Sequence, residues 1–117
     1  MRKSDNGPFH MALAAAKSLG PPHAGQISVP VFSHGSLEVE YYAPQDIDTQ
    51  QPHSRDEVYV VAQGDGVFHD GETRESVTAG SMIFVPAGRE HRFEDFSANF
   101  AVWVMFYGPE GGESLKP

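Results

Sequence analysis

Three side chains that can bind a metal ion stand in two short segments of this sequence. The first segment, Gln51 to Gly64, contains His53 and Glu57, and the second, Gly80 to His91, ends on a histidine. Imidazole and carboxylate ligands hold a divalent transition metal while leaving coordination positions open for a reactant. The chain has no cysteine, which excludes disulfides and thiolate metal sites. The two segments together predict a reactive metal pocket.

The predicted ligands must share one side of their strands. In an extended strand, residues two apart point to the same side, so Gln51 and His53 face one way and Glu57 keeps the same parity if no bulge intervenes. In the second segment, His91 shares a face with Phe93, which makes Phe93 a candidate for the pocket wall. We expect antiparallel closure to bring His91 to His53 and Glu57, although the register is open.

Four side chains near the ligands are candidate substrate contacts. Tyr59 has the parity of Glu57 and offers a hydroxyl, with a core tyrosine as the more frequent alternative. Arg55 and Arg89 flank the ligands and suit a substrate carboxylate, but a surface position fits them equally well. Gln51 is the fourth candidate. The remaining histidines, which lie near the helix, in the connector or in turns, are assigned to no metal site: His10, His23, His34 and His69.

The spacing of apolar and turn residues predicts an all-β fold, an antiparallel β-barrel or jelly roll with a short N-terminal helix. We expect the helix over residues 8–19, with Phe9, Leu13 and Ala16 packed on the barrel or on a second subunit. The strand candidates are residues 27–32, 37–42, 57–62, 66–69, 74–77, 82–85, 91–96 and 100–107. The long connection over residues 43–56 leads directly into the first segment, and long loops in compact barrels are often functional.

Length and charge restrict the classes of partner. A chain of 117 residues is one domain, with the helix and connector in residues 1–25, the barrel in 26–108 and a tail in 109–117. Acidic residues outnumber basic ones, 16 against 8, which excludes nucleic acid as a favourable partner. We expect no signal peptide and no membrane span, and a cytoplasmic location is compatible with the absence of cysteine. An apolar helix face and open sheet edges favour a homodimer.

Both segments resemble the two conserved motifs of the cupin superfamily, specifically small single-domain bacterial cupins of unassigned activity. The first motif, HxHxxxExxxxxxG, is met by His53, Glu57 and Gly64, with Gln51 where the motif has its first histidine. The second, GxxxxxPxGxxH followed by a less fixed Asn, is met by Gly80, Pro86, Gly88 and His91, with Asp95 at the Asn position. The resemblance covers nearly the whole chain and implies a metal in the mouth of a small β-barrel.

The exchange of histidine for Gln51 changes the expected chemistry. An amide oxygen is a harder ligand than an imidazole nitrogen, so Gln51 is either a weak, optional ligand or a hydrogen-bond partner of substrate, and the metal is iron, manganese, nickel, zinc or copper. A pocket that has lost its metal is the alternative. Two function classes stay open. One is a metal-dependent dioxygenase, isomerase or lyase acting on a small oxygenated compound, and the other is a noncatalytic module that binds a small ligand.

Overall fold

The strands of this protein form two antiparallel sheets that face each other around the predicted ligands. The structure, a computed structural model, describes residues 7–22 and 27–114. The strands are β1 (Val29–His34), β2 (Leu37–Tyr42), β3 (Asp56–Gln63), β4 (Asp65–His69), β5 (Arg74–Thr78), β6 (Met82–Val85), β7 (Arg92–Glu94) and β8 (Ala101–Tyr107). One sheet has the order β1-β2-β8-β3-β6 and the other β5-β4-β7. The predicted all-β architecture with one short helix is confirmed.

The inward faces of the strands follow the expected alternation. On β3, Glu57, Tyr59 and Val61 are each 1% exposed, whereas Val58 and Val60 between them are only half-buried. The barrel core combines residues of both sheets. Its buried members are Tyr42, Tyr59, Val61, Phe68, Val77, Val85, Phe93, Phe100, Val102 and Val104. A polar side chain on the inward face of β3, such as that of Glu57, therefore enters an apolar interior.

Strand β7 is shorter than the sequence predicts. It covers Arg92–Glu94 instead of residues 91–96, because Asp95 takes a positive φ of 48° that an extended strand does not allow. Strand β1 is displaced by two residues from the expected 27–32. The other six strands lie within one residue of their predicted bounds.

The helix α1 spans Leu13–Lys17, which is much shorter than the expected 8–19. Its N-cap residue, Ala12, has an extended backbone and no side chain that can cap the helix, so the preceding residues do not join it. Phe9 instead stacks on Phe32 of β1, with ring centroids 4.6 Å apart. Ala16 is 1% exposed and, with Leu13 and Phe9, packs on the outer face of the barrel as predicted. No helix in the described part of the chain has the length and apolar character that crossing a membrane requires.

A glycine is sterically required at the end of β3. Gly64 has φ of 81°, and a Cβ atom on it would lie 2.4 Å from Oγ of Ser97 and 2.9 Å from Cα of Phe100. Any side chain here would push the segment before β8 away from the barrel. The last glycine of the first motif thus serves the closure of the fold and not the site chemistry.

Candidate metal centre

The structure brings His53, Glu57 and His91 together inside one end of the barrel. Glu57 projects inward from β3, His53 lies just before this strand, and His91 immediately precedes β7. One ligand atom from each of the three lies within 4.8 Å of the others. Nε2 of His91 is 2.9 Å from Oε1 of Glu57, and Nε2 of His53 is 3.8 Å from Oε2. The expected convergence of the two segments is therefore present.

A backbone hydrogen bond connects the two segments directly. The N–H of Gly88, in the turn between β6 and β7, donates to the carbonyl of His53 at 2.7 Å. The adjacent N–H of Ala87 donates to Oδ1 of Asp56 at 2.9 Å. These two hydrogen bonds hold the chain just before Glu57 against the turn that leads to His91.

His91 is oriented to present a nitrogen lone pair to Glu57 and His53. Its Nδ1 is 2.8 Å from the carbonyl oxygen of Arg89, which accepts only if Nδ1 carries the proton. In the neutral ring, Nε2 is then the free acceptor, as in metal-binding histidines whose other nitrogen donates to a carbonyl. Burial lowers the pKa of His91, but the Glu57 carboxylate and the Arg89 carbonyl outweigh it and raise that pKa above its ordinary value.

The carboxylate of Glu57 is the strongest sign that a cation belongs here. Glu57 is 1% exposed, and among the described residues neither of its oxygens receives a hydrogen bond of good geometry. A buried carboxylate without donors is costly, and such groups in native proteins call for a specific explanation, such as an ion. A divalent cation between the carboxylate and the two imidazole nitrogens would satisfy all three, so these residues fit a metal.

Gln50, and not Gln51, is the amide in this cluster. Oε1 of Gln50 is 3.3 Å from Nε2 of His53 and 3.1 Å from Nε2 of His91. Gln51 is exposed and makes no hydrogen bond or ion pair with any other described residue. The rule of side-chain parity placed Gln51 beside His53, but residues 43–55 contain no strand, so the alternation does not apply to them.

Asp48 is a second polar residue that the sequence did not reveal. It is 5% exposed, and its Oδ2 accepts hydrogen bonds from Nε2 of Gln50 at 2.6 Å and from the N–H of Phe93 at 2.8 Å. Its Oδ1 accepts from the hydroxyl of Tyr42 and from the N–H of Gln50. An aspartate in a loop is usually solvated, so the only available signal was the unusual length of the connection after β2.

Neither candidate arginine directs its guanidinium to the cluster. Arg55 donates to Oε1 of Glu38 at 2.6 Å, to the carbonyl of Gly108 at 3.0 Å and to the carbonyl of Ser36. The guanidinium of Arg55 thereby joins the β1–β2 turn to the end of β8. These bonds hold the guanidinium of Arg55 away from the cluster, which favours the alternative position over a substrate contact.

Arg89 points toward the β4–β5 turn. Its Nε donates to the carbonyl of Asp70 at 2.8 Å, and its Nη2 is 3.3 Å from Oε1 of Glu72. Its contribution to the cluster is the backbone carbonyl that binds His91. The contacts of the Arg89 side chain, which is 43% exposed, therefore also favour the surface position over a substrate contact.

Tyr59 lies beneath the cluster as a buried tyrosine with satisfied polar contacts. Its hydroxyl donates to Oε1 of Gln50 at 2.6 Å and lies 2.9 Å from Nε2 of His91. Burial first, and the nearby carboxylates of Glu57 and Asp48 next, raise its pKa far above the ordinary value, so the phenol stays protonated. Tyr59 thus positions the amide of Gln50.

The pocket wall differs from the one predicted. Phe93 is 1% exposed and packs edge-on against Tyr59 at 5.1 Å, deep in the core. Phe106 of β8 instead stands against His53, with ring centroids 5.0 Å apart. Beside Gln50 and His53 the interior leaves a cavity of about 10 Å³, which is room for one water molecule or ion.

Of the four histidines assigned to no metal site, the three that the structure describes lie outside the cluster. Nδ1 of His69 is 3.6 Å from Oε2 of Glu94, on the three-stranded sheet. His10 and His34 are exposed, and His23 lies outside the described residues.

Comparison with known proteins gives one family and many structures of the same fold. The model of the cupin domain family matches residues 38–107. An uncharacterised protein of Streptomyces coelicolor is 41% identical over 63 residues, which are 54% of this chain. The match spans 60% of that relative's own length.

Three solved structures illustrate the likeness of fold. A protein of Bacillus halodurans has a TM-score of 0.73 at 17% identity, covering 94% of this chain and 88% of that one. A cupin-2 domain protein of Shewanella frigidimarina has a TM-score of 0.64 at 16% identity, and the match covers 84% of this chain and 94% of that one. A DMSP lyase of Ruegeria pomeroyi has a TM-score of 0.58 at 21% identity, and the match covers 69% of this chain and 46% of that one. At these identities the comparisons show the fold alone.

Proposed function

The chain belongs to the cupin domain family, and we propose that it is a metal-dependent enzyme acting on a small oxygenated organic compound. The reaction classes that fit are those of a dioxygenase, an isomerase or a lyase. The metal is a divalent transition ion, drawn from iron, manganese, nickel, zinc and copper.

The observation that carries this proposal is the buried, donor-free carboxylate of Glu57 next to two imidazole nitrogens. A structural metal site normally closes its coordination shell with protein ligands, whereas His53, Glu57 and His91 supply only three strong ones. The DMSP lyase among the structural neighbours supports catalysis as a use of this fold, without assigning its substrate here.

The protein's own side chains define how a reactant would meet the site. His53 is the accessible ligand, with 29% of its side chain exposed, while His91 and Glu57 are closed off from solvent. A reactant would therefore approach past His53, where the ring of Phe106 offers an apolar wall that excludes water. A bound divalent metal would supply Lewis acidity or the activation of dioxygen at this point.

A noncatalytic module that binds a small ligand is the second candidate. The observation in its favour is the small cavity beside the cluster, about 10 Å³, which has no room for an organic substrate unless nearby side chains move. A binding module needs only to exchange one small ligand at an open position of the metal.

Two measurements test the proposed function in sequence. Elemental analysis of protein purified without chelator should give about one divalent metal per chain, and metal-free protein should recover one on reconstitution. Protein loaded with each metal should then be screened against diketones, hydroxy acids, keto acids and sugar acids for oxygen uptake or product formation. Tight ligand binding without turnover for any metal would favour the binding module. Failure to bind metal would reject both versions.

We further propose that the protein forms a homodimer through a sheet edge, which is one of the two surfaces that the sequence argument named. The apolar side of α1 is already covered, since Ala16 is 1% exposed against the barrel. Among the edge strands, we favour β6, because Met82 is 69% and Phe84 is 51% exposed on its outer face. Their neighbours on β3, Val60 and Val58, extend the same apolar surface.

A further inference from the structure

We infer that the side-chain oxygen of Gln50 is a fourth protein ligand of the metal, held in position by Asp48. This inference rests on the proposed function, because it needs a metal at His53, Glu57 and His91. It goes further by naming a donor outside the two sequence motifs and a residue that controls it.

The distances around Gln50 fit a shared ion. Ligand atoms that each lie about 2.1 Å from one metal are separated by roughly 3.0 to 3.4 Å in octahedral or tetrahedral geometry. Oε1 of Gln50 is 3.3 Å from Nε2 of His53 and 3.1 Å from Nε2 of His91. Both separations fall within that range, whereas the 2.9 Å between His91 and Glu57 lies just below it and the 3.8 Å between His53 and Glu57 lies above it. The amide oxygen therefore belongs to the same set of converging donors.

The hydrogen bonds of Gln50 allow one orientation of its amide. The NH₂ group donates to Oδ2 of Asp48 at 2.6 Å, and the oxygen accepts from the hydroxyl of Tyr59 at 2.6 Å. Rotating the amide by half a turn would place its oxygen against the Asp48 carboxylate, which is repulsive. Asp48 thus keeps an oxygen, and not an NH₂ group, directed at the two histidines.

Asp48 is anchored from several sides, so it can serve as a rigid support. Its carboxylate accepts the N–H of Phe93 on β7 and the hydroxyl of Tyr42 on β2, in addition to the amide and the N–H of Gln50. A carboxylate that orients a histidine ligand by a hydrogen bond is a common feature of metal sites. Here the same arrangement orients a glutamine.

The donor set then contains two nitrogens and two oxygens. Compared with a site of three imidazoles and one carboxylate, this set is harder and favours Mn²⁺ and Fe²⁺ relative to Ni²⁺, Cu²⁺ and Zn²⁺. Replacing Gln50 by histidine should shift the preference the other way. This shift in selectivity is a property that a merely structural role of Gln50 would not produce.

The test is a set of metal titrations on metal-free protein, using Co²⁺, Mn²⁺ and Ni²⁺ alone as probes. The variants are Gln50→Leu, Gln50→His and Asp48→Asn, with Gln51→Leu as the matched control one residue away. We expect Gln50→Leu to weaken Co²⁺ binding by about 10- to 100-fold and Asp48→Asn by about 10-fold. Both should alter the visible absorption of bound Co²⁺, whereas Gln51→Leu should leave affinity and spectrum unchanged. Gln50→His should raise the ratio of Ni²⁺ to Mn²⁺ affinity.

The outcomes separate this inference from the proposed function. If the unaltered protein binds Co²⁺ and Gln50→Leu binds it with the same affinity and spectrum, the fourth ligand is rejected and the metal site stands. If Gln50→Leu does not fold, an unchanged Ni²⁺ to Mn²⁺ ratio in Gln50→His rejects it instead. If the unaltered protein binds none of the three ions, the proposed function fails and this inference fails with it.

Discussion

Nε2 of His91 lies 2.9 Å from Oε1 of Glu57, and the two side chains are 0% and 1% exposed. Two groups that both carry lone pairs approach this closely in an apolar interior only when a proton or a metal lies between them. The Glu57 carboxylate raises the pKa of His91 against the effect of burial, which lowers it. The pair therefore forms part of a binding site for a cation, and metal binding is the first property to measure.

Glu57→Gln should abolish the stabilisation that metal gives to the fold. A metal that binds only the folded state adds about 2.7 kcal/mol to the free energy of unfolding at one hundred times its dissociation constant. The variant keeps the volume of the side chain but removes the charge that offsets the cation. Thermal unfolding with Co²⁺ and with chelator gives the increment for each protein, whatever its baseline. An equal increment in both proteins would show that Glu57 is not a ligand.

His53→Ala and His91→Ala should both lose metal binding but differ in stability. His91 is closed off from solvent, so its removal leaves a cavity and should cost about 2 to 4 kcal/mol of metal-free stability. His53 has 29% of its side chain exposed, and its loss should cost less than about 1 kcal/mol. Urea unfolding of the metal-free proteins gives these values. Equal costs would contradict the burial difference between the two ligands.

The sequence was a good guide to the regular parts of this fold. On β3, alternation holds because the strand is paired on both sides, by β8 and β6, so Glu57 and Tyr59 had to share the inward face. The apolar residues Phe9, Leu13 and Ala16 pack on the barrel as expected, although the missing cap at Ala12 shortens the helix itself. These outcomes depend on local hydrogen bonding and periodicity, which a sequence records.

The same reasoning could not predict the backbone path of the irregular connection over residues 43–55. Gln50 and Gln51 are adjacent and chemically identical, so only the backbone path decides which one enters the barrel. That path includes Asp46 at a positive φ of 64°, a conformation that no periodic pattern announces. The burial of Asp48 depends on a donor from Phe93, 45 residues away. Such a contact exists only after the barrel has closed.

Acid should weaken the fold partly through Asp56, which connects the start of β3 to two loops. The N–H of Glu113 and then that of Ala87 bind its carboxylate and hold the pKa of Asp56 below its ordinary value of 3.8. A lowered folded pKa means that the unfolded chain binds more protons in this range, so stability rises with pH. The contribution of Asp56 is complete above the unfolded value and is lost as the pH falls through the folded one.

Asp56→Asn should therefore lower the melting temperature near neutral pH, and its difference from the unaltered protein should shrink below about pH 4. Metal-free protein must be used, so that protonation of the ligands does not contribute. Glu75→Gln is the matched control, because Glu75 is exposed on β5 and its side chain makes no hydrogen bond among the described residues. A difference that stays constant between about pH 7 and pH 3 would refute the assignment.

The exposed apolar residues of β6 should decide whether the protein forms its proposed homodimer. As an edge strand, β6 also leaves backbone donors and acceptors without a strand partner on its outer side. The double substitution Met82→Ser with Phe84→Ser should remove about 3 kcal/mol of apolar burial and weaken association about 100-fold. Ile47→Ser is the control, because Ile47 is 70% exposed but lies on the connection after β2. Sedimentation equilibrium should show the unaltered protein and Ile47→Ser as dimers at concentrations where the double variant is monomeric. Equal dimerisation of all three would move the interface away from β6, and a monomeric unaltered protein would end the proposal.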